Sequence, residues 1–153
     1  MTLPTLFSNA ATNPFQAKGE PQQVTAEQAV AAVPATAASG TVIGMFRFQK
    51  GFSLTDFALK SDDLDSGTNV TLDVGYVYDT VADGTDAPAA FISANTLAQT
   101  GTSIIWPIAG GLLTGVTFTA TGNGYIVVRT GGGATTTAGN LTMIGKWTYN
   151  LGF

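Results

Sequence analysis

The chain has 153 residues, 10 acidic and 6 basic, a formal net charge of −4, and neither histidine nor cysteine. Without imidazoles and thiols it has no Ser-His-Asp or Cys-His catalysis, no His-ligated metal, no disulfide and no iron–sulfur cluster. The acidic balance argues against nucleic-acid binding, which draws its affinity from phosphate neutralisation by Lys and Arg. Charged residues make up 10% of the chain against about 25% in a typical soluble domain. A surface so poor in interspersed charge is weakly protected against association, which implies a partner surface.

Residues 1–40 hold four of the six prolines, Pro4, Pro14, Pro21 and Pro34. Proline at that density bars long helices and central strands, so this segment reads as an extended N-terminal arm. A helical turn or two over 26–32 is the exception, with Thr25 as its cap. Phe7 and Phe15 stand in the arm as two apolar anchors suited to docking on a neighbour. The first positive side chain is Lys18, so the charged-then-apolar start of a secretory signal is missing.

From residue 41 the texture turns to β. Residues 41–49, 52–60 and 70–78 are rich in β-branched and aromatic side chains and are separated by turn residues. In the third run Val70, Leu72, Val74, Tyr76 and Tyr78 alternate with Thr71, Asp73, Gly75 and Val77, the period of a strand with one buried face. A turn-rich loop follows over 79–88, and 89–99 offers Phe91, Ile92 and Leu97 at near-helical spacing, a predicted short helix. Strands are predicted again over 102–106, 115–121, 124–130 and 141–149. Thr121-Gly122-Asn123-Gly124 reads as a tight hairpin turn, and Gly131-Gly132-Gly133 opens a loose loop. The apolar run 104–113 carries Pro107 and is far short of the about 20 residues a membrane-crossing helix needs. The predicted fold is an all-β, antiparallel, jelly-roll-like sandwich over 41–153 behind the arm.

Asp62, Asp63 and Asp65 beside Gly67 form the one candidate cation loop. Calcium takes six to eight oxygens, and counting from Asp63 the sixth and twelfth positions of an EF-hand fall on Thr68 and Val74 instead of Gly and Glu. A solvated turn is the better reading, with no metal. The triple glycine lacks the Gly-Lys-Ser/Thr ending of a phosphate loop. No activated nucleophile can be named, so the chain reads as non-catalytic and without a cofactor. Trp106, Tyr125, Trp147 and Tyr149 could form a sugar-stacking platform, although core and interface packing is the commoner use of such residues. Ending on Phe153, the C-terminus invites comparison with an outer-membrane barrel strand, but the strands are too short and too few.

Over 40–77 a strand leads into Lys50-Gly51 and a second strand. Ser66-Gly67 then precedes a third strand closing on Val74-Gly75-Tyr76, and the chain's last strand ends on Trp147-Thr148-Tyr149. This punctuation resembles the small capsid-associated proteins of tailed bacteriophages, called decoration, cement or head structural proteins, over roughly residues 40–150. The resemblance implies a jelly-roll-like sandwich that forms a dimer or trimer on the outer surface of the virion and clamps neighbouring major capsid proteins, with no catalytic residues. The residues expected to make contact, on the capsid or a sister subunit, are Phe7 and Phe15 of the arm, which lies outside the resemblance, and the sheet aromatics Phe46, Phe48 and Trp147. No nucleic-acid or membrane contact is expected. The alternatives are a carbohydrate-binding or host-adhesion module and a tail or fibre subunit.

Overall fold

A computed structural model describes residues 3–12, 25–106 and 118–149. Two sheets stack face to face. Sheet A runs β1 (Leu6–Phe7), β3 (Val42–Phe48), β9 (Gly124–Gly131), β5 (Thr71–Tyr78), β6 (Ala87–Asn95). Sheet B runs β2 (Thr25–Val33), β10 (Gly139–Tyr149), β4 (Phe52–Ser61), β7 (Ser103–Trp106), and the short β8 (Phe118–Thr119) also pairs with β4. Among the described residues, without β1 and β8 each sheet keeps four antiparallel strands, and apart from the β5–β6 hairpin consecutive strands lie in opposite sheets. That is the jelly-roll arrangement expected from the sequence. β1 is an addition to it, lying parallel to β3 with Leu6 opposite Ile43 and Phe7 opposite Gly44.

The inward positions supply a core of Phe, Leu, Ile, Val and Met. Phe46, Phe48 and Trp147 belong to it, at 2%, 0% and 1% exposure, which corrects their expected role as partner contacts. Strand period decides this: Arg47 turns out of sheet A, so Phe46 and Phe48 on either side of it turn in. In β10 Leu141, Met143 and Trp147 share the inner face with Gly145. A Cβ on Gly145 would stand 3.0 Å from the Phe46 ring and 3.2 Å from Trp147. This glycine leaves the room in which those two rings pack edge to face at 5.2 Å.

Four local readings change. Residues 26–32 are a strand, because all nine residues of β2 find register partners on β10, from Thr25 opposite Trp147 to Val33 opposite Gly139. Pairing on that scale overrides the helix preference of alanine, and the buried Ala29, Ala31 and Val33 are small enough for β2 to lie close on the core. The arm of residues 1–40 is therefore no separate arm where it is described: it enters sheet A as β1 and sheet B as β2.

The predicted helix over 89–99 is β6 followed by a single 3-10 turn at Leu97–Gln99. Two irregularities in the β5–β6 pairing shift the alternation, so that Phe91 packs against the core beside its neighbour Ile92 and imitates helical spacing. Thr121-Gly122-Asn123-Gly124 is no hairpin, since β8 belongs to sheet B and β9 to sheet A. The loop after Gly131 is not loose: Gly132 has φ +72° with the Asn69 carbonyl directly behind it, and buried Thr135 donates to the Pro34 carbonyl at 2.6 Å.

Candidate functional site

The acidic loop is spent on its own backbone. Asp65, nearly buried, accepts N–H bonds from Gly67 (3.0 Å), Asn69 (2.7 Å) and Val70 (2.9 Å) and the Thr136 hydroxyl at 3.2 Å. Asp63 accepts from Asp65 N–H and Asp62 from Asn140 N–H. Among the described residues no group of three or more potential metal ligands comes together. The bonds from Val70, Gly67 and Asn69 hold the Asp65 carboxyl below its ordinary value, against an opposing push from burial. A lowered folded value means that this stabilisation is complete above about pH 4, the ordinary range for aspartate, and is lost as pH falls through the folded value. Thermal melts from pH 5 to pH 2 will show a fall in the wild-type midpoint that is shallower in Asp65→Asn. At neutral pH that variant starts lower, because its amide cannot accept the same set of bonds. Equal slopes would refute the assignment.

A different surface gathers groups suited to docking. The N-terminal clip, residues 3–12, crosses the open side of the sandwich and holds both sheets. Thr5 N–H donates to the Val42 carbonyl at 2.9 Å and Ser8 N–H to the Gly44 carbonyl at 2.8 Å, while the buried Ser8 hydroxyl donates to the Met45 carbonyl. The same Ser8 oxygen accepts Ala11 N–H at 3.0 Å, capping the short α1 (Asn9–Thr12). On the other sheet, Asn9 Oδ1 accepts Val30 N–H of β2 at 2.8 Å.

Where the clip meets sheet A, Phe7, Ala11, Thr12, Arg47 and Tyr125 line an open cleft of about 470 Å³. Phe7 is 43% exposed and meets the Tyr125 ring edge-on at 5.6 Å. Arg47 lies over the same ring, 5.0 Å from its centre, donates to the Tyr125 hydroxyl and pairs with Asp79 at 2.7 Å. Register builds the patch, since Arg47 stands opposite Tyr125 and Tyr125 opposite Val77. The next rows place Val42 beside Arg129 and Arg129 beside Asp73. Arg129 donates to Asp73 through Nε at 3.0 Å and Nη2 at 2.6 Å. Val42, Val77 and Val127 make a second small apolar cluster with Tyr125 packed against it. The outer face of sheet A is thus apolar underneath, ion-paired at its borders and aromatic at one end, the residue types that concentrate binding energy when a partner covers them.

Of the expected contact residues, Phe7 alone is placed at this surface; Phe15 lies outside the described residues. The sugar-platform reading loses its centre, because Trp147 is in the core and Tyr125 is engaged by Phe7 and Arg47. Of Trp106 and Tyr149 only the backbone is described. The sequence reading named Tyr125 only as a member of the sugar platform and did not single out Arg47; the adjacency of β3 and β9 is what brings the two together. Among the described residues the most exposed large apolar side chain, Val81 at 82% exposure, tips the loop between β5 and β6. That loop is braced by Asp83, which accepts the Thr80 hydroxyl at 2.6 Å and Asn123 N–H at 3.3 Å.

No protein-family model and no curated protein sequence matches the chain. In fold it is similar to a chain of the cyanophage Pam1 capsid asymmetric unit, with a TM-score of 0.66 and 22% identity over 92% of this chain and 96% of that one. A chain of the Ralstonia phage GP4 capsid gives a TM-score of 0.67 at 19% identity over 94% and 97%. A chain of the acid-stable capsid of Helicobacter pylori bacteriophage KHP30 gives 0.53 at 13% identity over 82% and 92%. Likeness at these identities establishes the fold.

Proposed function

We propose that this protein decorates and cements an icosahedral bacteriophage capsid from the outside, bridging neighbouring major capsid proteins as a dimer or trimer. The observation that carries the reading is the two-way coverage: capsid chains match this one over 92% and 94% of its length and over 96% and 97% of theirs. Each matched chain is therefore a whole small capsid component of about this length, built on the same jelly roll. The outer surface is favoured by charge. A net −4, with Arg47 and Arg129 already paired to Asp79 and Asp73, leaves little to neutralise packaged phosphate.

The role is structural. Binding the assembled shell and not its separated subunits stabilises the shell by RT ln(1 + [L]/Kd) per site, and a lattice of copies multiplies modest contacts. The aromatic end of sheet A is the surface assigned to the shell.

The direct test is to mix purified protein with capsids lacking it, pellet them and quantify bound protein. Wild type will saturate at a fixed copy number per shell and raise the shell's melting temperature; absence from the pellet defeats the reading. Phe7→Ala will weaken capsid affinity at least tenfold, as a central aromatic anchor does. Its own melting midpoint will barely move, because an exposed side chain whose ring contact among the described residues is Tyr125 contributes about 1 kcal/mol or less. Unchanged affinity would remove Phe7 from the contact.

A further inference from the structure

The clip is joined to the rest of the fold by chain length it does not need. Residues 13–24 connect Thr12 to Thr25, and fully extended that stretch reaches about 45 Å. The clip's own seat needs much less. Asn9 is bonded to Val30, Thr12 lies one helical turn from Asn9, and Thr25 lies five strand residues from Val30, so the gap is at most about 30 Å. The clip also stands outside the jelly roll proper. It supplies a parallel edge strand to a sheet whose other pairings are antiparallel, and the strand order closes without it.

What the clip covers has to be covered by something. Without it the Val42 and Gly44 carbonyls and Val30 N–H lose their partners, and the edge of β3 is left as a template for another strand. The seat accepts a specific segment: Pro4, buried, against Gly44, the Ser8 hydroxyl on the Met45 carbonyl and Asn9 on Val30. Every copy of the chain carries one such segment and one such seat.

We propose that the clip is exchanged between copies: residues 3–12 of one chain dock on β3 and β2 of the next, making the same bonds in trans. Exchange of an identical element needs no new contact and links subunits at low free-energy cost. The cleft of Phe7, Ala11, Thr12, Arg47 and Tyr125 then belongs to two chains, with the first three residues coming from the neighbour. The exchange is a property of the protein alone and does not rest on the capsid reading, so the experiment contains no capsid.

The chain has no cysteine, and a Cβ at Gly44 would lie 3.4 Å from the Pro4 Cβ, beside the about 3.5–4.5 Å spacing of a disulfide. Pro4→Cys and Gly44→Cys are made singly, co-refolded from urea at high concentration and oxidised. Covalent dimers in excess of those formed by either variant alone are expected, since a disulfide between the two different introduced thiols in this mixture forms only between chains. The Pro4→Cys, Gly44→Cys double variant is the control. If it closes into covalent monomers while the mixture stays unlinked, the clip docks on its own chain and exchange is overturned. If it links in neither way, the clip does not sit on β3 and the proposal falls with its premise. A readout without cysteines covers the case of a variant that folds poorly. Wild-type protein at the same concentration will scatter light as a dimer or larger closed species and revert to monomer when residues 1–12 are removed; a wild-type monomer overturns the proposal.

Discussion

Phe48→Ala will lower folding stability by about 3–5 kcal/mol, the loss typical of truncating a fully buried aromatic. Phe48 is 0% exposed and contacts three other rings: Phe52 at 5.8 Å, Tyr78 at 5.7 Å and Phe118 at 5.5 Å. Phe118 in turn stacks on Tyr76 at 4.3 Å, so the void opens inside a connected aromatic cluster contributed by both sheets. Domains of this size have about 5–15 kcal/mol in total, and the variant will sit close to unfolding at growth temperature. Urea titration checks it, with the midpoint shifted and the slope retained. An unfolding free energy within about 0.5 kcal/mol of wild type would show that the cluster is not packed as described. The contrast with Phe7→Ala is the informative comparison: one phenylalanine holds the sandwich together, and the other is assigned to what docks on it.

Gly75→Ala will be the second large effect, at about 1–3 kcal/mol or more. A Cβ at this position would stand 2.0 Å from the Ala87 carbonyl oxygen and 2.5 Å from the Pro88 carbonyl carbon. Both are backbone atoms of β6, so relief requires moving the strand, whereas a flexible side chain could simply turn away. The clash sits where the β5–β6 pairing shifts between Val74 opposite Ile92 and Tyr76 opposite Ala87, and residues between those pairs fold over the glycine. Amide hydrogen exchange will report the damage locally, with faster exchange across Ala87–Asn95 and β9 little changed. Uniform loss of protection across both sheets would mean that β6 is not an independently yielding edge.

Composition and period two carried a long way. The absence of His and Cys removed whole classes of chemistry, and alternation in 70–78 identified Leu72 and Val74 as core residues, where the structure has them. The jelly-roll architecture was legible because strand-forming runs separated by turn residues leave few other ways to bury their faces. Alternation was less informative about which face of sheet A meets water. Val77 was assigned outward with Asp73, and it does point outward, yet it is 1% exposed, packed in a cluster with Val127 of the neighbouring β9 and standing opposite Tyr125. A pattern in one strand cannot report what neighbouring strands place on top of it.

The remaining differences have one physical source, which is pairing over long sequence distances. Alanine-rich β2 is a strand because β10, more than a hundred residues later, offers it a complete ladder, and local propensity carries no trace of that partner. Phe46, Phe48 and Trp147 look alike in sequence whether they face a core or a sister subunit, since both environments favour large aromatics; only the stacking of the second sheet buries them. Arg47, Tyr125 and Phe7 lie in three separate segments and become one cleft when β3 takes β9 on one side and the clip on the other. Residue types and their spacing were thus enough for fold class and for the chemistry this chain lacks. The proposed docking surface had to wait for strand order, because a site assembled across strands exists in no single stretch of chain.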